Sequence, residues 1–441
     1  MLVLATLSFL VLQLLGALSP SHAAAVAPGY RSPTQSNSVS VPANWGVYGY
    51  LFNITVGNPP QNIPMLCDMT WKALFVRSSR CMDIFNPELC DSKGQTFFEQ
   101  RNSRTFKNTS FAQVTLPVTP YAPNFTVDYG RDVMCIGGIC NKNTLMQVSD
   151  FPYPGSMTPV VPFGGIYGLA PKAEVLADGG SDPATFQAWE DGKLAPLIGW
   201  HTCDVLGTKA TCHGGDSKLV FGGTDETMYA ESEMQSYSIQ NPEWLSDAFF
   251  PVVPARSNYW ATRLTGMWIK TKTLSKNYAV PFQAIRGERK TSPLAVVNEG
   301  SEGLGAPLSE NGYKRLVEDI PSAKLASNAT IEHIRSQGST GYNTKQQDWY
   351  TVDCGGLEHY PDLVYQLDGG KKYTIPPQDY VTMLANMPGS VCYLNINTWK
   401  FGRMENGDAK VILLGKAFLK RHYLVLNFEE RSFSLAPLRE N

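Results

Sequence analysis

Short apolar segments separated by Gly, Pro and Asn run along most of the chain and predict a protein built mainly of β-strands. Residues 48–57 alternate between apolar and polar positions, residues 58–61 (Asn-Pro-Pro-Gln) favour a turn, and residues 63–67 return as a second strand. Helical spacing is confined to three short segments, 183–191, 310–319 and 377–384. The pattern therefore predicts a mainly β fold with a few short helices.

The chain also carries a weak internal repeat. In each half an apolar strand leads into a tight turn, at Asp68 in the first half and at Asn298 in the second, 298 − 68 = 230 positions apart. A later apolar run ends near a glycine, at 165–170 in the first half and at 411–415 in the second. Repetition on this scale predicts two similar lobes, 46–241 and 242–441, with a cleft between them.

The N-terminus predicts export. Residues 2–18 form an apolar run without charge, followed by the small-residue segment Ser21-His22-Ala23-Ala24, which together favour a signal peptide over residues 1–23. The alternative, a membrane anchor, is disfavoured because the run is short for a full span. No second apolar run follows, so no membrane association is expected once the signal is removed. Residues 24–45 form a short polar segment before the first lobe.

Composition narrows the possible partners and cofactors. The chain has 441 residues, of which 43% are hydrophobic and 17% charged, with a net charge of −2. This balance gives no electrostatic reason to expect a nucleic acid or an anionic membrane as partner. There is no Cys-x-x-Cys and the six histidines do not cluster, so no metal and no other cofactor is expected.

Nine cysteines agree with an oxidising compartment. The spacing suggests four local disulfides, without proving the connectivity: Cys81 with Cys90, Cys135 with Cys140, Cys203 with Cys212, and Cys354 with Cys392. Cys67 remains, inside the apolar run before Asp68, and is expected to be a buried, inert thiol.

Four sequons mark candidate glycosylation sites in an exported chain: Asn53, Asn108, Asn124 and Asn328. Asn53 is the least favoured of them because it falls in a predicted strand.

The two turns resemble the paired active-site loops of pepsin-type aspartic peptidases, in which an apolar pair precedes Asp-Thr-Gly-Ser/Thr. The resemblance extends to residues 53–61, 349–354 and 414–420, in the family's order and spacing. It implies the bilobal pepsin-like (acid protease) fold. It also implies that Tyr129, in Val127-Asp128-Tyr129-Gly130, covers the cleft from a hairpin flap, although a tyrosine that merely packs at a strand end stays open. Gly300 and Ser301 would bind substrate.

The same resemblance predicts that the chemistry of the family is lost. That chemistry needs two carboxylates sharing one proton around a water, but only Asp68 is present, since Asn298 occupies the second position. The family's threonines and the glycine after the aspartates are replaced by Met69, Glu299 and Thr70, and Trp71 stands where a hydroxyl usually steadies the first aspartate. Groups that act as a unit fail together, so a loss of roughly three orders of magnitude or more is expected.

Two functions follow from these observations. The first is a secreted, monomeric pseudopeptidase, free or wall-associated, that binds a peptide or protein in the inter-lobe cleft. The alternative is an active or weakly active aspartic endopeptidase that uses Asp68 with Glu299, although adjacent side chains on an extended turn should point Glu299 away from Asp68. An enzyme of another class lacks support, because no nucleophile-elbow, phosphate-loop or zinc motif occurs.

Overall fold

A computed structural model describes the chain over most of its length, from residue 37 to residue 439. The described residues are 37–46, 49–80, 96–109, 114–116, 125–149, 163–172, 182–203, 216–242, 245, 259–272, 277–280, 293–299, 305–336, 348–384, 387, 389–398 and 411–439.

Strands dominate these ranges, in agreement with the predicted fold class. They are β1 Val39–Pro42, β2 Asn44–Gly46, β3 Gly49–Val56, β4 Gln61–Asp68, β5 Leu74–Arg77, β6 Lys107–Asn108, β7 Val114–Leu116, β8 Phe125–Ile136, β9 Ile139–Ser149, β10 Gly165–Gly168, β11 Leu197–His201, β12 Lys218–Phe221, β13 Gln235–Ser238, β14 Ala261–Lys270, β15 Asn277–Ala279, β16 Leu294–Val297, β17 Ala306–Pro307, β18 Lys324–Leu325, β19 Tyr350–Val352, β20 Asp362–Leu367, β21 Lys372–Ile375, β22 Val381–Met383, β23 Cys392–Leu394, β24 Ile396–Asn397, β25 Val411–Leu414, β26 His422–Asn427 and β27 Ser432–Pro437. The α-helices are α1 Ala184–Glu190, α2 Glu310–Glu318, α3 Asn328–Ser336, α4 Pro377–Tyr380 and α5 Lys416–Leu419.

Two of the three predicted helices are confirmed by α1 and α2. Helix α2 begins where the sequence places it, because the side chain of Ser309 accepts a hydrogen bond from the backbone amide of Gly312 at 3.0 Å. The third predicted helix, over 377–384, is confirmed only in its first half. Helix α4 ends at Tyr380, and the β-branched residues that follow form β22, which pairs with β23.

The described residues form five sheets, of which the three largest organise the molecule. One belongs to the N-terminal half, in the order β2-β3-β4-β10-β5-β9-β8-β6, and another to the C-terminal half, in the order β21-β20-β14-β16-β25. A third, six-stranded sheet has the order β1-β12-β11-β26-β27-β13 and so joins strands from both halves of the chain. Its first strand starts at Val39, so regular structure begins before residue 46, where the sequence placed the start of the first lobe.

The internal repeat has a counterpart in strand pairing. Strand β4 runs parallel to β10, with Asp68 beside Gly168 at the end of the pair. Strand β16 runs parallel to β25 in the C-terminal half, with Val297 beside Leu414 at the corresponding end. Each half therefore delivers one loop from the end of a buried parallel pair, which positions the candidate site.

One apolar cluster contains buried residues from both halves of the chain. Within the N-terminal half Tyr50 and Trp200 pack edge to face at 5.2 Å between ring centroids, and within the C-terminal half Trp260 and Phe428 do so at 5.3 Å. The indole Nε1 of Trp260 donates to the carbonyl of Leu169, which directly follows β10, at 2.6 Å. In the described ranges no helix is long and apolar enough to cross a membrane.

Candidate active site

The backbone around Asp68 is fixed by the parallel pair from which it emerges. The amide of Leu169 donates to the carbonyl of Asp68 at 2.8 Å. Gly168 faces the loop so closely that a Cβ there would clash with the carbonyl oxygens of Trp71 and Ala73. A glycine at this position therefore allows the first loop to pack on β10.

The carboxylate of Asp68 is held by its own loop. Its Oδ1 accepts from the Thr70 amide at 2.7 Å, from the Thr70 hydroxyl at 2.6 Å and from the Trp71 amide at 3.1 Å. Burial raises the pKa of Asp68, and these three bonds lower it in part because they favour the charged form. Asp68 is partly buried, and some of its surface stays accessible.

One expectation about the first loop needs correction. The hydroxyl that steadies the aspartate is not lost to Trp71, because Thr70 supplies one from the preceding position. The backbone of Thr70 also does not adopt a positive φ. Among the described residues the non-glycine positions with positive φ are Ser390 and Arg431, so the loop does not need a glycine at position 70.

The second loop begins with Asn298, directly after β16. Its amide donates to the carbonyl of Leu414 at 3.2 Å, and the residue is 3% exposed. Extending the β16–β25 register by one residue sets Asn298 opposite Gly415, as Asp68 lies opposite Gly168 in the first half. The structure therefore brings the two predicted loop residues to equivalent places in the two halves.

Glu299 makes the direct link between the two loops. Its Oε1 and Oε2 accept from the backbone amide of Met69 at 3.1 and 3.3 Å, across 230 positions of sequence. The residue is 1% exposed. The side chain thus points toward the loop of Asp68, and the expectation that it points away is wrong. It supplies an acceptor for the buried amide of Met69.

Cys67 lies beside both acidic residues and is a free, buried thiol, as predicted. Burial raises its pKa well above the ordinary value, and the charges of Glu299 and Asp68 raise it further. The thiol therefore stays protonated and unreactive in the folded protein.

Tyr129 has the surroundings of a packing residue. It lies within β8, is 1% exposed and joins an apolar cluster with Phe75 and Ile166. Its hydroxyl accepts from the side-chain amide of Gln147 on the neighbouring strand, at 3.2 Å. The alternative left open by the sequence was a tyrosine that packs at a strand end; Tyr129 does pack on its neighbours, but it lies inside β8 and not at its end.

Two of the four predicted disulfides are present among the described residues. Cys135–Cys140 closes the tip of the β8–β9 hairpin, and Cys354–Cys392 joins the end of β19 to β23. Cys203 is also disulfide-bonded. The remaining cysteines of the predicted pairs lie outside the described residues: Cys81, Cys90 and Cys212.

Three predicted sequons have exposed asparagines, including Asn53, which lies on the outward face of β3, as well as Asn108 and Asn328. Asn124, Gly300 and Ser301 lie outside the described residues. Within the described ranges, no group of three or more His, Cys, Asp or Glu residues is arranged to hold a metal ion.

Sequence reasoning missed two features of the site, the Thr70 hydroxyl and the Glu299–Met69 bond. The first had a signal, because a hydroxyl two residues after an aspartate commonly bonds back to it. The second had none, since it depends on how two distant loops meet.

A family model described as eukaryotic aspartyl protease matches residues 49–438. With this match and the paired loops, the chain belongs to the eukaryotic aspartyl protease family. It is 70% identical over 439 residues, covering 100% of both chains, to the secreted aspartic protease FUS4 of Gibberella moniliformis. It is 54% identical over 435 residues, covering 97% of this chain and 98% of the relative, to the secreted aspartic protease LUC8 of a Fusarium species.

A more distant relative is the aspartic protease-like protein pynH of Aspergillus niger, 29% identical over 423 residues and covering 94% of this chain and 95% of the relative. The chain is accordingly a secreted, pepsin-like protein of mainly β structure.

Proposed function

We propose that this protein is a secreted pseudopeptidase, which binds a peptide or an extended protein segment in the cleft between its halves without cleaving it. The observation that carries the proposal is the position of Asn298, equivalent by strand register to Asp68. A carboxamide cannot give and take a proton near neutral pH, so the two acids that share a proton in this family are reduced to one.

Glu299 does not supply the missing acid in this proposal. Both of its oxygens face the amide of Met69, where they act as structural acceptors. The Oδ1 of Asp68 faces Thr70 and Trp71 instead. In this proposal Glu299 therefore does not join Asp68 in holding the water that the reaction places between two acidic groups.

Binding is supported by the features that remain. The parallel strand pairs that deliver the loops are complete in both halves, and the loops are tied together. Pre-organised loops of this kind reduce the entropic cost of holding a ligand. The ligand class, a peptide or protein segment, rests on the family to which the chain belongs.

The test is an acid-pH peptide-library cleavage assay on the secreted protein, with Asp68→Ala and Asn298→Asp variants alongside. We expect no cleavage by the natural sequence and none by Asn298→Asp, because Glu299 would then be a third buried carboxylate in the site. Cleavage by the natural sequence that disappears in Asp68→Ala would refute the proposal.

A second candidate is an aspartic endopeptidase that pairs Asp68 with Glu299. It is favoured by the burial of the Glu299 carboxylate next to the residue that follows Asp68, and by the relatives named secreted aspartic proteases. This reading requires an acid optimum, inhibition by a statine-type transition-state mimic, and loss of activity in both Asp68→Asn and Glu299→Gln. Activity that survives both substitutions would eliminate it.

A further inference from the structure

One large apolar side chain on the surface of the C-terminal half is unusually exposed. Leu325 is 65% exposed, and the next most exposed large apolar residue among those described, Met383, is 42% exposed. Leu325 lies on β18 and Met383 on β22, which form the two edges of the sheet β18-β19-β23-β22. A single exposed leucine is ordinary on a protein surface, but on an edge strand it offers a second chain an apolar contact beside a strand that can pair with it.

A glycosylation sequon begins three residues after this leucine. It reads Asn328-Ala329-Thr330, and the side chain of Asn328 is exposed. An extended chain spans at most about 3.6 Å per residue, so the Cα atoms of Leu325 and Asn328 lie at most about 11 Å apart. A branched oligosaccharide on Asn328 is long enough to reach the side chain of Leu325.

The beginning of helix α3 fixes the place from which such a glycan would project. The hydroxyl of Ser327 accepts from the backbone amide of Thr330 at 3.2 Å and so caps the helix, whose first residue is Asn328. One turn and a half further on, the buried Ile334 shares an apolar cluster with Tyr393 of β23. The attachment point therefore belongs to a helix that is packed on the same four-stranded sheet.

The other two sequons with a described asparagine lack an apolar surface of this kind nearby. Asn53 lies between Phe52 and Ile54, which are 3% and 1% exposed. Asn108 lies on the edge strand β6, and the exposed large apolar side chains of the described residues are both elsewhere. Of these three asparagines, Asn328 alone adjoins an apolar side chain that a glycan could cover.

We propose that Asn328 carries an N-linked glycan that covers Leu325 and the edge of β18, and so prevents association of chains at this edge. The sugar comes from a lipid-linked diphosphate oligosaccharide of the secretory pathway. A bond forms between Nδ2 of Asn328 and the sugar C1 as the bond from C1 to the diphosphate oxygen breaks, and the proton lost from Nδ2 leaves with the lipid diphosphate. The proposal is independent of the chemistry at Asp68.

The burial of the sequon hydroxyl sets the order of events. Thr330 is 8% exposed, and its hydroxyl lies 2.9 Å from that of Ser327. An enzyme that must read this hydroxyl cannot reach it once α3 has formed, so the glycan is added before this segment folds. The glycan is then in place when the sheet edge is most vulnerable to association, during folding.

The experiment compares proteins secreted by a eukaryotic host, by mass spectrometry and by analytical ultracentrifugation over a range of concentrations. Asn328→Gln removes the sequon through a conservative change at an exposed position, and Thr330→Ser keeps it. Leu325→Thr and Met383→Thr are each combined with Asn328→Gln, and the second is the matched control because Met383 lies at the opposite edge of the same sheet. Wild type treated with an endoglycosidase under native conditions provides a chain that folded with its glycan.

We expect a glycan on Asn328 in wild type and in Thr330→Ser. Self-association of Asn328→Gln and of the deglycosylated wild type should be roughly tenfold stronger than that of untreated wild type, because the apolar edge is uncovered. Leu325→Thr should return the Asn328→Gln variant to the wild-type level, since threonine suits a strand and removes most of the apolar surface. Met383→Thr should leave the association of Asn328→Gln unchanged.

An unmodified Asn328 in the secreted wild type would overturn the proposal. So would self-association that stays the same when the glycan is removed, or that Leu325→Thr and Met383→Thr reduce equally. If Asn328→Gln is not secreted, the deglycosylated wild type and the deglycosylated Leu325→Thr variant decide the question, because only the first should associate more strongly than untreated wild type.

Discussion

The two loops at the centre of the molecule leave equivalent strand pairs, yet they use their carboxylates in opposite ways. Asp68 accepts three hydrogen bonds at one oxygen, all from residues two and three positions further along its own loop. Glu299 accepts from the other half of the chain, at the backbone amide of Met69. The first acid stabilises its own turn, and the second joins the two halves.

One carboxylate therefore stabilises its own turn and the other joins the two halves, whereas in a symmetric pair of loops both would share these two tasks. The family pattern has a threonine after each aspartate, whereas here one of the two positions is Met69, which offers no side-chain acceptor in return. The link between the loops is therefore carried from the C-terminal half, by a charged residue. Substitutions in the second loop should consequently affect how the halves meet, and substitutions in the first should affect Asp68 alone.

The largest effect of pH on stability is expected from His422, which belongs to neither loop. Its contribution must be removed before the two loops are compared. Burial lowers the pKa of His422 to about 4, opposed by its hydrogen bond to the Phe418 carbonyl at 2.8 Å. Because the folded pKa lies below that of the unfolded chain, stability is complete above about pH 6.5 and falls by about 3 kcal/mol as pH drops toward 4. Urea unfolding of wild type and His422→Gln across this range measures the difference, and parallel pH profiles would contradict it.

The second-largest effect should come from breaking the link between the loops. Glu299→Ala leaves the buried amide of Met69 without its acceptor, whereas Glu299→Gln keeps an oxygen there. Both variants are neutral, so the charge cancels in their comparison, and the alanine variant should be less stable by about 2 kcal/mol. Equal unfolding midpoints in denaturant would show that Glu299 does not hold the halves together.

A smaller effect should follow from changing the donors to Asp68. Thr70→Val keeps the shape of the side chain and removes the hydroxyl bond, and we expect a loss of about 1 kcal/mol at neutral pH. The pKa of Asp68 should rise further, as one of the bonds that favour its charged form is gone. Carboxyl NMR titration measures that pKa, and Thr70→Ser, which restores a hydroxyl, should remain close to wild type.

The smallest effect concerns the charge of Asp68 itself, since its three donors offset part of the cost of burial. The folded pKa is raised, so the stabilising contribution is present below the unfolded pKa and is lost as pH rises through the folded value. Asp68→Asn, made in the His422→Gln background, should therefore gain stability relative to its parent at neutral pH and lose that gain in acid. A gain of the same size at both pH values would mean that the charge of Asp68 is not its cause.

The sequence predicted the fold class, the two loops and the buried Cys67 because these depend on local apolar patterns and on recognisable motifs. It placed helix α2 correctly through the spacing that follows Ser309, and it failed after Tyr380, where pairing with β23 outweighs local helical spacing. The Glu299–Met69 bond depends on two segments 230 positions apart, so no local rule could have revealed it. Tyr129 was ambiguous for the same reason, because its partners come from neighbouring strands.

The six-stranded sheet has a consequence for biosynthesis. Strand β11 pairs with β26 near the end of the chain, and β27 pairs with both β26 and β13. A ribosome that has made the N-terminal half has therefore made one neighbour of β11, strand β12, but not the other, strand β26, which lies more than 200 positions later in the chain. Strands β26 and β27 complete this sheet, so it closes only after residues from both halves of the chain have left the exit tunnel.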